Sequence, residues 1–318
     1  MDAESDNQDL PENQGGLVGT DARGLEQVMN AETAVFGSTN TGSAVSIRLS
    51  APSTEIKEFT EQVSVRVGGK WQATGKGYLL WSMVRSGRAD KGNLKPARWY
   101  FPPGTQFEVT LSTRGQDDKH LKQALAALWL LTELGGVGSR SRRCAGSLAI
   151  QHVGGDKGII ESSKLPFYTP DNAQALKQQI EQGIKTARAL CEIDHLSAPK
   201  DARFDILVPD FCRIWIVQDE QPWRSAEEAM QRIGEKLQGY RSHIAIGQRK
   251  IFGLPLPPII FNKRRASPLL LRVTKLQENK YVGIAVLFKT MASDVPMGDY
   301  KLIESWTNEF RGKLEVML

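Results

Sequence analysis

The sequence predicts an α+β chain of two βαββαβ units in tandem, the first without its opening strand. Three observations carry this. In the C-terminal half, short runs rich in Val, Ile and Leu alternate with helical periodicities in the order strand, helix, strand, strand, helix, strand. The N-terminal half repeats the last five of those elements around a long insertion. The 318 residues suit two domains of ordinary size, or one large one.

Residues 1–20 are polar and acidic, with too few apolar groups to offset ordering entropy, and are expected to be disordered. "ARGLEQVMNAETAVFG" predicts a helix with Leu25, Val28, Met29 and Val35 on one face and Gly37 as its stop. "SAVSIRLS" (43–50) alternates Val45, Ile47 and Leu49 with polar neighbours, the pattern of a half-buried strand. Residues 52–102 form an irregular insertion with two short strand candidates, "VSVRV" and "YLLW". "GTQFEVTLS" (104–112) predicts a strand. A helix follows from Asp117 or Asp118 to Leu134, with Leu121, Leu125, Leu128 and Leu131 on one stripe and Trp129 beside it. After a loop of glycine and arginine, "AGSLAIQHV" (145–153) reads as a strand.

A polar stretch with one amphipathic helix (about 171–191) leads to the second half. There the order is strand "FCRIWIV" (211–217), helix "SAEEAMQRIGEKLQGY" (225–240), and strands "PLLLRVTKL" and "YVGIAVLF" joined by the hairpin "QENK". A helix from about 299 to 311 and the strand "KLEVM" complete a ferredoxin-like (RRM-like) unit. The expected division is an acidic tail at 1–20, a first unit at 21–165 and a second at 166–318. In the ferredoxin-like order 4-1-3-2, an absent first strand leaves a central slot beside "GTQFEVTLS" and "AGSLAIQHV". The expectation is that sequence upstream of Met1, or a separate polypeptide, supplies it.

Lys and Arg outnumber Asp and Glu by 41 to 36, a formal charge of +5. Residues 1–14 hold Asp2, Glu4, Asp6, Asp9 and Glu12 and no base, so residues 15–318 carry +10. A basic body of this kind has a polyanion as its expected partner. Cys144, Cys191 and Cys212 are scattered, without CxxC spacing. That argues for a reducing compartment and for core packing, and against disulfides or zinc. No run approaches the roughly 18 apolar residues of a membrane span, so a cytoplasmic location is expected.

No catalytic or cofactor motif stands out. The glycine run lacks the GK[ST] of a phosphate-binding P-loop, and it leads from helix to strand, the reverse of a dinucleotide fingerprint. His120, His152, His195 and His243 stand apart, without metal-ligand spacing. His120 and His152 flank the glycine loop, leaving acid-base chemistry on RNA as an alternative. The acidic pairs Asp117–Asp118 and Glu227–Glu228 sit where helix N-termini favour acids.

What remains is basic, in three places. They are Arg140, Arg142 and Arg143 on the glycine loop; Arg241, Arg249 and Lys250 before "FGLPLPP"; and Lys263, Arg264 and Arg265 after it. Glycine lets backbone N–H groups approach an oxyanion, and arginine grips phosphate through two parallel hydrogen bonds. The same residues also suit a plain helix stop, with glycine past the last turn and arginine at its negative end. Residue types alone leave the two readings level.

"LLTELGGVGSRSRRCAGSL" resembles the glycine-rich signature of the RAMP superfamily, the RNA-binding proteins of CRISPR systems. "VFGSTNTGSAVSIRL", "GYLLW", "FPPGTQFEVTL" and "IFGLPLPPIIFNKRRASPLLLRV" resemble its Cmr branch, type III-B, and within it the family of first Cmr subunits. The resemblance runs from about residue 22 to about 290. It implies two ferredoxin-like domains, binding of guide or target RNA within a multi-subunit complex, and no catalytic activity or cofactor. That family sits where the 3′ portion of the guide lies. Its glycine-rich loop maps onto Gly135, Gly136, Gly138, Ser139, Arg140, Arg142, Arg143, Gly146 and Ser147, and its second basic cluster onto Lys263, Arg264, Arg265 and Ser267. The family opens with a strand, a threonine-proline/double-glycine segment and a basic, tryptophan-containing helix start; residues 1–21 do not match that pattern.

Overall fold

The computed structural model describes residues 22–87, 92, 94–113, 118–193, 205–253, 266–290 and 297–318. Its first half contains α1 (Ala22–Phe36), β1 (Val45–Leu49), β2 (Lys57–Glu58), β3 (Ser64–Val67), β4 (Lys70–Ala73) and α2 (Gly75–Leu80). Then come β5 (Trp99–Tyr100), β6 (Val109–Thr113), α3 (Asp118–Glu133) and α4 (Lys157–Ser163). The second half holds α5 (Ala173–Leu190), β7 (Cys212–Val217), α6 (Ala226–His243), β8 (Leu269–Lys275), β9 (Tyr281–Phe288), α7 (Lys301–Trp306) and β10 (Leu314–Val316). The chain is α+β with small antiparallel sheets. The tail expected at 1–20 lies outside the described residues.

The largest sheet has the order β10-β7-β9-β8, which is fourth, first, third, second within its unit. All three pairings are antiparallel, with Ile214 opposite Val286 and Leu271 opposite Ala285. Both faces are covered. Cys212, Ile214, Ile216, Ile284 and Val286 pack against Leu176, Ile180 and Ile184 of α5 and Trp129 of α3. Trp215, Val217, Leu271 and Leu287 pack against Ile233 and Leu237 of α6, Trp306 of α7 and Leu79 of α2. Strands buried on both faces carry near-continuous apolar runs, which is why β8 and β9 read so clearly. Apolar side chains from both sides of residue 165 share these clusters.

Helix starts follow their caps. Ser225 accepts from the Glu228 amide at 3.0 Å, and Glu228 accepts from the Arg224 amide at 2.8 Å, so two amides at the start of α6 are satisfied reciprocally. "YLLW", expected as a strand, is instead the core of α2. Thr74 caps it, accepting from the Gly77 amide at 2.9 Å. Tertiary packing overrides the apolar run here, because α2 crosses α6 at backbone contact. A Cβ on Gly234 would stand 1.9 Å from the Gly75 carbonyl oxygen.

Other expectations in the first half shift for similar reasons. "VSVRV" does form a strand, β3, but it pairs only with β4 as a separate hairpin. β1 pairs with β6 alone, and only Val45 of β1 is buried; Ile47 and Leu49 are exposed. In α1, Val35 is buried while Met29 is exposed. The leucine stripe of α3 is not its buried face. Ala124, Ala126 and Trp129 are buried, and Leu131 is exposed. Small residues allow α3 to lie close to α5, and Trp129 fills the gap, its indole donating to the Pro166 carbonyl at 3.1 Å. Cys144 and Cys212 lie in the core, whereas Cys191 is exposed.

"AGSLAIQHV" forms no strand. The chain entering it runs along the outer edge of β8: the Cys144 amide, just before it, donates to the Leu271 carbonyl at 2.8 Å, and the Val273 amide donates to Ser147 Oγ at 3.2 Å. The slot expected beside that strand therefore has no counterpart on this side. No helix among the described residues is long and apolar enough to cross a membrane.

Candidate nucleic-acid interface

The glycine-arginine loop leaves α3 at Glu133 and turns sharply at Ser141–Arg143, a single 3-10 turn flanked by Arg140 and Cys144, both with left-handed backbone (φ +70° and +68°). The Val137 amide donates to the Gly146 carbonyl at 3.0 Å and closes the loop. Gly146 has φ +67°, and a Cβ there would lie 1.9 Å from the Val137 oxygen. Glycine is required at this position by both the angle and the contact. Gly138 and Ser139 at the tip are exposed, and Gly135 and Gly136 are half-buried at the root.

The arginines divide into two groups. Arg143 turns inward, donating to the Leu269 and Phe252 carbonyls at 3.2 Å each. Burial, with Arg241 and Arg140 nearby, lowers its pKa to about 10. Arg142 donates to the Ser267 carbonyl at 2.8 Å and forms an ion pair with Asp205. Arg272, in the middle of β8, is fully buried; it donates to the carbonyls of Thr132, in the last turn of α3, and of Leu148. Desolvation lowers its pKa to about 10 against the attraction of Glu133. A guanidinium on the carbonyls of a helix C-terminus satisfies orphan acceptors and suits the helix dipole. These three act as struts that hold the loop on the second sheet.

Arg140 is half-buried and reaches no backbone carbonyl among the described residues. Its Nε donates to Ser82 Oγ at 2.6 Å, and its guanidinium lies 5.0 Å from the centre of the Trp81 ring. Burial and the neighbouring Arg98 lower its pKa. Arg241 donates to the Tyr78 hydroxyl at 2.5 Å and stacks 5.3 Å from Phe252. Among the described residues no carboxylate pairs with Arg98, Arg140, Arg143 or Arg241.

The structure thus brings the glycine loop together with the second basic region. Arg249 lies in a 3-10 turn, Gln248–Phe252, donating to the Ile244 carbonyl at 2.9 Å, and Lys250 lies in the same turn. Lys263, Arg264 and Arg265 fall outside the described residues, but Phe252 and Ser267, on either side, both accept from loop arginines. His120 lies in the first turn of α3, and His152 in an exposed segment after the loop. His195 and Asp117 are outside the described residues. Glu227 meets Lys76 of α2 at 3.0 Å, a contact between helices. Among the described residues no cluster of His, Cys, Asp and Glu could hold a metal ion. Sequence reading missed Trp81, Arg98 and Arg272. An arginine amid "LLLRV" was a usable signal for the last, since a charge inside an apolar strand needs buried acceptors.

Residues 2–149 match the RAMP superfamily, a match that reaches further back than the motifs quoted above. The chain is 28% identical over 286 residues to the CRISPR system Cmr subunit Cmr1-1 of Pyrococcus furiosus, covering 87% of this chain and 75% of that protein. It is 30% identical over 149 residues to Cmr1-2 of the same organism, covering 43% of this chain and 73% of that protein. The fold is similar to the crystal structure of apo Cmr1 from P. furiosus, with a TM-score of 0.60 and 23% identity, over 93% of this chain and 84% of that one. A chain of a type III-B Cmr-beta complex bound to cognate target RNA and AMPPnP is similar at TM-score 0.51 and 14% identity, over 89% and 86% of the two chains.

Proposed function

Because the chain belongs to the RAMP superfamily, among the Cmr1 subunits of type III-B CRISPR systems, we propose that it is a non-catalytic RNA-binding subunit of such a ribonucleoprotein in antiviral defence. In this reading it works in the cytoplasm, assembled with the other subunits. It holds the 3′ portion of guide RNA, target RNA or both through its glycine-arginine loop and the basic residues around 249–265. The two units, 21–165 and 166–318, act as tandem ferredoxin-like domains.

The observation that carries the RNA role is the surplus of guanidinium groups at the loop. Arg140 and Arg241 lie around the inward-turned Arg143, and Arg98 within electrostatic reach of Arg140, without a paired carboxylate among the described residues; such a concentration of positive charge favours an incoming phosphate. Arg140 is the loop arginine best able to serve, because among the described residues its guanidinium is held through Nε alone, whereas Arg142 and Arg143 are committed to carbonyls.

The test is retention of labelled repeat RNA by the purified chain, without metal, across a salt series. Salt-sensitive retention without cleavage is expected. Arg140→Glu should weaken it at every sequence tested, since phosphate contacts carry no sequence information. Cleavage that disappears in the His120→Ala/His152→Ala variant would instead indicate a metal-independent RAMP-type endoribonuclease. Neither retention nor cleavage would leave the basic loops to acidic protein surfaces.

A further inference from the structure

Trp81 ends α2 and is 60% exposed as a residue, although Leu79 and Leu80 beside it are buried. One face of the ring is occupied by the Arg140 guanidinium, 5.0 Å from its centre and within cation–π range. That guanidinium is fixed from two directions: its backbone is locked at φ +70°, and its Nε is tied to Ser82 Oγ at 2.6 Å. Arg98 is exposed, its charge is felt at Arg140, and its segment is tied to the end of α2 by the Arg98 amide donating to the Met83 carbonyl at 2.8 Å. An exposed tryptophan with one guanidinium fixed on its ring thus lies within the electrostatic reach of a second guanidinium, with no acid paired to either cation among the described residues. The exposed loop tip at Gly138 adds no side chain to obstruct approach; no atom lies within 4 Å of where its Cβ would be.

An aromatic face takes any nucleobase, and adjacent cations take the phosphate that follows it. We propose that Trp81, Arg140 and Arg98 form a site for one unpaired nucleobase and its adjoining phosphate in single-stranded RNA. The base stacks on the indole, and the phosphate is held by Arg98 and Arg140. A base inside a duplex has both faces occupied by its neighbours, so this site selects unpaired RNA. The proposal rests on the RNA-binding reading above.

The test uses fluorescence anisotropy of the full chain with three probes: a single-stranded RNA of about 12 nucleotides, a strand of equal length without bases, and a duplex of that length. Trp81→Ala should weaken binding of the single strand about tenfold, leave its salt slope unchanged, and leave the base-free strand unaffected. Trp81→Phe should retain most of the affinity. Arg98→Ala should flatten the slope of log K against log salt for the single strand by about 0.7. If wild type binds the single strand and Trp81→Ala binds it equally well, the stacking site is wrong while the RNA-binding reading stands. Equal losses on the strand with bases and the strand without would also overturn it, reducing Trp81 to a support for Arg140. If wild type binds none of the probes, the RNA-binding reading fails and the site fails with it.

Discussion

β1 and β8 are alike as sequence: "VSIRL" and "LLLRVTK" each set an arginine within apolar residues. In the fold they are opposites. Arg48 and Ile47 of β1 are exposed, while Arg272 of β8 is 1% exposed and Leu271 not at all. The difference lies in what covers them. β8 belongs to a sheet with helices on both faces, and the glycine loop closes its outer edge. β1 has one partner strand and, among the described residues, a small cluster of Val35, Val45 and Ala124 beneath it. Alternation marks a strand; the layers above and below decide how much of it is buried.

Truncating the two arginines separates the strands most. Arg272→Ala should lower stability by about 3–5 kcal/mol, since it strands the carbonyls of Thr132 and Leu148 in the interior. Arg48→Ala should change stability by less than about 0.5 kcal/mol. Urea unfolding of both variants decides it, and equal effects would mean that the two strands are covered alike.

Ile284→Ala, in β9 between α5 and its sheet neighbours, should cost about 2–5 kcal/mol through the cavity it leaves. Gly146→Ala acts on the loop that closes the outer edge of β8. It forces a side chain onto left-handed backbone against the Val137 carbonyl, and about 2 kcal/mol is the expected loss. A stability unchanged within error would show that the loop relaxes freely and does not brace β8.

The smallest effect is expected at the exposed end of β1, where Ile47 and Leu49 continue the face that Val45 begins. Ile47→Ser combined with Leu49→Ser should shift stability by no more than about 0.5 kcal/mol, read from the midpoint of thermal or urea unfolding. A loss of 2 kcal/mol or more would mean that this face is covered in solution.

The second half was legible because its signals are local and agree with one another. Ser225 before an amphipathic run, two continuous apolar strands and a four-residue hairpin each state their structure within a few residues. The glycine loop was legible as a place where the backbone must bend, and Gly146 bears that out with its positive φ. What its arginines do was not. Arg140, Arg142 and Arg143 are equivalent in sequence, yet Arg143 is committed to carbonyls more than a hundred residues away and Arg140 lies half-buried against the exposed Trp81. "YLLW" likewise continues a helix whose start, at Gly75, packs on the backbone of α6 at Gly234. Propensity and capping act between neighbours in the chain, so sequence determines them. Burial of a charge, or the choice of which face is covered, depends on groups brought together from distant positions, and only the tertiary structure decides those.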